Sequence, residues 1–343
     1  MAVRSLSTAT RALAAGWQLT AELTPLGEGH INETLLAATD TGERFVLQRI
    51  SRAVFTDPGR VMHNVARVIG HLESHGAALV PALLPTRSGG PAFVDDAGEW
   101  WRLWAYVADG RSLARTSDPL TCRAAGEAFG RFQRLLADLP GPALEPVIPG
   151  FLELGGYLER FDQVLRETDN RADVNRACGD PAFIDAHREL AGRFPPRQDL
   201  IHGDCKLNNL LFAADTPKVL AVLDLDTVMV GHWAWDLGDL ARSVLLGAAS
   251  TSGMQTAFAA LLDGFSAGSS RSVDPSVAIG ATVYVAFMLG IRFLTDHLEG
   301  DRYFRVERPG VNLDRARAQF DLVQRLTTRV MADGLASSVA PAR

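Results

Sequence analysis

Residues 200 to 226 constrain this chain more than any other stretch. They read Leu200-Ile201-His202-Gly203-Asp204-Cys205-Lys206-Leu207-Asn208-Asn209-Leu210-Leu211-Phe212 and, after a short interval, Ala221-Val222-Leu223-Asp224-Leu225-Asp226. Leu210 to Phe212 form a short apolar strand, Asp215, Thr216, Pro217 and Lys218 favour a bend, and Val219 to Leu223 run back as a second strand. The residue before the first strand and the residue after the second then meet at the open end, so Asn209 and Asp224 become neighbours. An amide oxygen beside a carboxylate, with a third oxygen ligand available at Asp226, suits a hard cation such as Mg2+. Asp204, one loop away, is placed to accept a proton from a bound hydroxyl. Positioning and charge neutralisation are what phosphoryl transfer asks of a protein.

A lone His-Gly-Asp triplet would be an ordinary turn. Here His202-Gly203-Asp204 is followed by Asn209, an apolar strand, a turn, a second strand and Asp224 in a fixed order. This run resembles the aminoglycoside phosphotransferase and choline kinase superfamily, a branch of the protein-kinase-like fold. The resemblance implies an α+β, two-lobed fold with a β-rich N-lobe and a mainly helical C-lobe, working with ATP and Mg2+. It implies Asp204 as the base, Asn209 and Asp224 as metal ligands, and Lys206 as a residue facing the transferred phosphate.

The N-terminal third reads as β-rich. Gly27 and Gly29 precede a strand through Leu36, and Thr41-Gly42 turns it into a second strand from Arg44 to Ile50. Glycines at such a turn let backbone N–H groups approach phosphate oxygens, although a plain hairpin would use them for bending alone. The second strand carries Gln48 and Arg49 on opposite faces, and either could reach the nucleotide. Asp57-Pro58 starts a helix with Val61, Val65, Ile69 and Leu72 on one stripe. Its one acid after Pro58 is Glu73, near the end, so the strand-to-helix ion pair of protein kinases is absent or replaced. Trp101 to Val107 read as a strand running into Ala108-Asp109-Gly110. In the fold implied by the resemblance this junction is the hinge, with Ala105 and Val107 against adenine.

The resemblance narrows at Gly27-Glu28-Gly29-His30-Ile31-Asn32-Glu33-Thr34, Leu47-Gln48-Arg49-Ile50, Met62-His63-Asn64 and Arg292-Phe293-Leu294-Thr295-Asp296-His297-Leu298-Glu299-Gly300-Asp301-Arg302-Tyr303-Phe304. These are similar to the bacterial N-acetylhexosamine 1-kinases, which phosphorylate the anomeric hydroxyl of N-acetylglucosamine or N-acetylgalactosamine. The similarity implies His30, Asn32, Arg292 and Tyr303 as substrate contacts together with Asp204, while Phe304 stands in place of a tryptophan. Other acceptors (an aminoglycoside, choline, an amino acid or another sugar) and a nucleotide-binding pseudokinase are the alternatives.

With 343 residues the chain is long enough for two lobes. The expected division is an N-lobe over 1–107, a C-lobe over 108–332 and a disordered tail over 333–343. A net charge of -6 argues against a nucleic-acid partner. Three scattered cysteines without ligand spacing suit reduced thiols in the cytoplasm. Residues 1 to 20 lack the apolar core of a secretory signal, and 277–291 is short for a membrane span. The implied partner is a small sugar, with no nucleic acid, membrane or partner protein. Asp118-Pro119 opens a helix to Leu139, and Asp180-Pro181 one reaching Phe194. In Trp235-Asp236-Leu237-Gly238-Asp239-Leu240-Ala241, Asp239 or Asp236 either braces the catalytic loop or caps a helix, and His232 reads as structural.

Overall fold

The computed structural model describes residues 2–27, 31–167, 171–179, 182–195, 199–247, 250–304 and 306–328. Helix α1 (Ala2–Trp17) comes first, where sequence reasoning assigned no element. Strands β1 (Glu22–Pro25), β2 (Glu33–Ala38) and β3 (Arg44–Arg49) follow, then helix α2 (Pro58–Ser74). Asp57 caps α2 by accepting from the Arg60 N–H at 3.0 Å, with proline in the first turn as expected. Strands β4 (Leu83–Leu84), β5 (Phe93–Val94) and β6 (Trp100–Ala105) complete an antiparallel sheet in the order β1-β2-β3-β6-β4, with β5 also on β6.

Period-2 alternation divides this sheet sharply. Leu35, Leu47, Trp101 and Leu103 lie on one face under Ala9, Ala12 and Leu13 of α1. Gln48 and Arg102 pair across β3 and β6 on the other face, where Val46 and Trp104 join the core of the helical half. The α1 stripe at positions 9, 12 and 13 is a short helical period that caps the outer face of the sheet.

The chain leaves the first sheet after Ala105 and enters a second at β7 (Gly110–Ser112), which pairs with β9 (Leu210–Ala213). Helices α3 (Pro119–Leu136), α4 (Leu154–Glu167), α5 (Arg171–Cys178) and α6 (Ala182–Ala186) lie between. The helix expected from Asp180 to Phe194 is interrupted. Asp180 and Pro181 lie outside the described residues, α6 stops at Ala186, and Arg188–Gly192 is a 3-10 turn where Arg188 is held by Asp162 of α4 and by Asp185. Beyond β8 (Asp199–Ile201) come β9, β10 (Val219–Val222) and β11 (Met229–Gly231), then α7 (Trp233–Leu245), α8 (Thr251–Ser269), α9 (Pro275–Leu298) and α10 (Val311–Thr327). The fold is thus a mixed α+β structure with a sheet-bearing N-terminal region and a helical C-terminal region.

By length and composition α9 could cross a membrane, yet most of its apolar window is buried inside the protein. It carries the core between α7 and α10: a Cβ on Gly238 of α7 would come within 2.4 Å of the Ala281 carbonyl of α9, so these helices touch backbone to backbone. The same device is doubled between α3 and α8. Gly126 and Gly130 face Leu261 and Phe265, while Gly264 and Gly268 face Arg123 and Glu127. Two Gly-x-x-x-Gly pairs therefore interlock. A Cβ at Gly264 would sit 1.9 Å from the Arg123 carbonyl, so Gly264→Ala must push the helices apart. The expected loss is about 3 kcal/mol, read as a lower denaturation midpoint in urea; an unchanged midpoint would contradict this packing.

Candidate active site

The loop after β8 and the segment before β11 are held side by side because Ile201 and Met229 pair in the β8–β11 ladder. The Thr227 hydroxyl donates to the His202 carbonyl at 2.9 Å. Gly203 has φ +83, and a Cβ there would lie 2.7 Å from the Thr227 carbonyl, so both conformation and space call for glycine. His202 is fully buried with the rings of Phe129 and Phe132 at its edges. It donates through Nε2 to the Leu223 carbonyl at 2.8 Å and accepts at Nδ1 from the Asp204 N–H at 3.2 Å. It is a spacer between the two segments rather than a proton carrier.

Asp236 anchors this loop from below. Its carboxylate accepts from the His202 N–H at 2.8 Å, the Gly203 N–H at 2.9 Å and Gln133 at 2.8 Å. Burial raises the pKa of Asp236, opposed by His202 and these donors. Asp239, the other reading of the Asp-Leu-Ala phrase, instead binds Arg242 at 2.7 Å. Neither caps the helix, because His232 does so by accepting from the Ala234 N–H. Cys205, packed beside these acids, has its thiol pushed well above the usual range by burial and by Asp236 and Asp239, so it stays neutral.

Above the brace, Asp204, Lys206 and Asn209 converge. The Lys206 ammonium lies 2.7 Å from Asp204 Oδ2, and the Asn209 amide donates to the same oxygen at 2.9 Å and to the Asp204 carbonyl at 2.8 Å. Burial would raise the Asp204 pKa, but Lys206, His202 and Asn209 outweigh it and hold the carboxyl below its ordinary value. Burial would likewise lower Lys206, and Asp204 and Asp224 raise it instead. The hairpin closes as its sequence predicts: Val222 pairs with Leu210, and the Leu223 N–H donates to the Asn209 carbonyl at 2.8 Å. Asp224 follows in the left-handed region at φ 60, a conformation that an aspartate adopts only where the surroundings demand it.

Asp224 is pushed up to about 6, by burial first and then by Asp226 and Asp204, against Lys206 and Arg102. Its carboxylate remains open to the cleft, where water moderates the effect. Among the described residues neither Asp224 nor the Asn209 side-chain oxygen accepts a hydrogen bond. An oxygen donor set with surplus negative charge fits a hard divalent cation, and Asn209 and Asp224 would hold it.

Asp226 differs from its expected part as a third ligand. Arg102 of β6 grips its carboxylate with both terminal nitrogens, the Nη2 contact being 3.0 Å, and Asn32 donates to it at 2.7 Å. Arg102 and Asp226 are each about 1% exposed at the side chain. The pair links β6 to the segment just after Asp224, and sequence reasoning did not find Arg102. Asn32 is also taken up: its oxygen accepts from the Ser51 N–H at 3.0 Å, so its amide links the β1–β2 turn to Asp226 rather than standing free for a substrate.

Gln48 shares the inner face. It accepts from Arg102 and Trp104 at 3.0 and 2.8 Å and donates to Thr34 at 3.1 Å. Strand alternation turns Arg49 to the outer face, where it pairs with Glu33 and Glu99 at 2.9 and 3.5 Å, away from Asp224. Thus Gln48 aims Arg102, and Arg49 belongs to the surface of the sheet. Gly27 has φ +71 in the turn closed by the Leu26 N–H to Thr34 carbonyl bond. Gly29 and His30 lie outside the described residues. Ala105 ends β6 with its N–H on the Ala82 carbonyl, and Val107 lies in the linker between the two sheets.

A second cluster gathers at the C-terminal end of α9. The Arg292 guanidinium sits over Phe151, Tyr157, Tyr303 and Phe304, with centroids 4.9 to 5.6 Å away. Among the described residues it has no carboxylate partner. Asp296, buried on α9, shapes this wall by accepting from the N–H groups of Arg302, Tyr303 and Phe304 at 2.7 to 2.9 Å. Sequence reasoning passed over Asp296 although it lies within the Arg292–Phe304 run.

Comparison with known proteins gives a family and a fold. The model of the Phosphotransferase enzyme family matches residues 22–275. A choline/ethanolamine kinase family protein from Mesorhizobium loti superposes with a TM-score of 0.61 at 18% identity, over 99% of this chain and 100% of the other. The choline kinase of Streptococcus pneumoniae gives 0.59 at 14% over 97% and 99%. An amicoumacin kinase in complex with AMP-PNP, Ca2+ and Ami gives 0.59 at 15% over 94% and 92%.

The raised pKa of Asp224 sets a pH dependence. Below about 6 the carboxyl carries a proton that a cation must displace. Cation affinity is therefore expected to rise with pH up to about 6, approaching tenfold per unit, and to level off above it. Mn2+ binding followed by electron paramagnetic resonance from pH 5 to 8 checks this; affinity that is flat through 6 would contradict it.

Proposed function

We start from the fact that the chain belongs to the phosphotransferase enzyme family, and we propose that it transfers the γ-phosphate of ATP to a sugar hydroxyl. The acceptor we assign is the anomeric hydroxyl of N-acetylglucosamine or N-acetylgalactosamine, giving the sugar 1-phosphate. The carrying observation is Asp204, ionised and held by Lys206 at 2.7 Å and Asn209 at 2.9 Å beside an oxygen-rich cation site. A divalent cation, Mg2+ in this reading, would supply neutralisation of the phosphate charge when held by Asn209 and Asp224.

The chain's own groups do the remainder. Asp204 orients the acceptor hydroxyl through Oδ1, since Lys206 and Asn209 occupy Oδ2, and receives its proton as the bond to phosphorus forms and ADP leaves. Lys206 is positioned to turn its charge from Asp204 towards the transferred phosphoryl oxygens. Asp236 keeps the loop rigid through two backbone N–H bonds, so the base does not drift from the attack line. Gly27 and Gly29 are assigned to the triphosphate, and Ala105 and Val107 to adenine. Asp226, Asn32 and Gln48 act by holding Arg102 and the Asp224 segment in place.

The Arg292 cluster supports a neutral, hydroxylated acceptor. A guanidinium with no carboxylate partner among the described residues repels cations such as choline or an aminoglycoside, whereas it can donate to sugar oxygens. Tyr303, about 45% exposed, offers an apolar face to a pyranose ring. Three buried cysteines, Cys122, Cys178 and Cys205, accord with a cytoplasmic enzyme.

ADP release with Mg-ATP should appear with N-acetylhexosamines and stay at background with choline and aminoglycosides; the reverse pattern would overturn the acceptor assignment. Asp204→Asn should lower kcat about 10³-fold while moving the KM for ATP only a few-fold. Near-normal turnover in that variant would remove Asp204 from the reaction.

A further inference from the structure

Away from the cleft, His71 and His75 lie one turn apart on α2 and meet Asp138, just past the end of α3. Four-residue spacing sets both imidazoles on one helix face, and their ring centroids are 4.6 Å apart. His71 Nε2 is 3.1 Å, and His75 Nε2 3.6 Å, from Asp138 Oδ1. All three donor atoms lie within 4.8 Å of one another. Ligands about 2.0 to 2.1 Å from a tetrahedral zinc ion stand roughly 3.3 Å apart, so the two measured separations bracket a tetrahedral edge. The Leu135 carbonyl, 2.9 Å from His71 Nε2, brings a further oxygen to the same place.

We propose that His71, His75 and Asp138 form a binding site for a zinc-class divalent ion that ties the end of α2 to the end of α3. Two imidazoles and one carboxylate suit such an ion better than Mg2+. His71 is buried while His75 and Asp138 are open to solvent at about 37% and 69% of their side chains, so the site has a fixed floor and an entry path. On binding, His71 takes the tautomer with its proton on Nδ1, water relaying that proton from Nε2, and the freed Nε2 lone pair takes the metal in place of its contacts with Leu135 and Asp138. The site is separate from the cleft. Met62, which touches Arg102 at the other end of α2, is nine residues before His71, about 14 Å along the helix. Bound metal would therefore stiffen the helix that supports Arg102 without entering the reaction.

The test is Zn2+ titration of the chelator-treated full chain against a chromophoric competitor, with Mg2+ saturating. The expected result is one tight Zn2+ per chain, with affinity at least about tenfold weaker in His75→Ala and in Asp138→Ala. His63→Ala, an exposed histidine of the same helix, should bind as the native chain does. Zn2+ should raise the melting temperature of the native chain and not that of His75→Ala. All variants alter exposed side chains and should melt near the native temperature without metal. Absence of stoichiometric uptake by the native chain, or unweakened uptake by His75→Ala and Asp138→Ala, would overturn the proposal.

Discussion

The buried pair between Arg102 and Asp226 joins parts of the chain 124 residues apart and carries the registration of the whole site. Arg102 stands on the inner face of the N-terminal sheet, and Asp226 sits two residues after Asp224. Removing either partner would strand a buried charge at a penalty of about 3 to 5 kcal/mol. The pair is completed on every side: Gln48 takes the guanidinium Nε, and Asn32 takes the outer carboxylate oxygen. Because Asn32 also holds the Ser51 N–H, the turn after β1 and the end of β3 are tied to the same carboxylate. The sheet thus reaches the catalytic hairpin through a few directed bonds as well as through apolar contact.

Asp236 plays the matching part in the helical half. Two carboxylates, Asp236 below and Asp226 behind, are spent on backbone and guanidinium partners, and this leaves Asp204 and Asp224 facing the cleft. Their environments push them apart. Lys206 and Asn209 keep Asp204 ionised, whereas Asp224 has no hydrogen-bond donor among the described residues and is pushed up to about 6 by burial and its acidic neighbours. In the proposed reading the ionised Asp204 orients the acceptor hydroxyl and Asp224 takes the cation. The division follows from which donors each can reach, since the two side chains are chemically identical.

Much of this was readable because it is local. The hairpin 210–222 is fixed by two apolar runs and a turn, and the meeting of Asn209 with Asp224 follows from that geometry alone. The capped starts of α2 and α3 are likewise written in Asp57-Pro58 and Asp118-Pro119. What escaped depends on partners distant in sequence. Arg102 looks like one charge in an aromatic strand, and only the β3–β6 register turns it towards Asp226. Gln48 and Arg49 could not be separated without knowing that α1 covers the outer face of the sheet. Asp226 read as a ligand because spacing shows proximity to Asp224 but not the guanidinium that claims it. The interlocked glycines of α3 and α8 carry no chemistry of their own and gain meaning only when the helices are side by side. The break after Ala186 reflects the hold of Asp162 on Arg188, which no helical period reveals.

The most direct measurement is a crystal structure with Mg2+ and a non-hydrolysable ATP analogue. The account predicts a cation bound by Asn209 and Asp224, the terminal phosphate facing Lys206 and Asp204, and Asp226 still closed on Arg102. A cation bound elsewhere, or an Asp226 that has left Arg102 to coordinate it, would contradict the division of labour among these carboxylates.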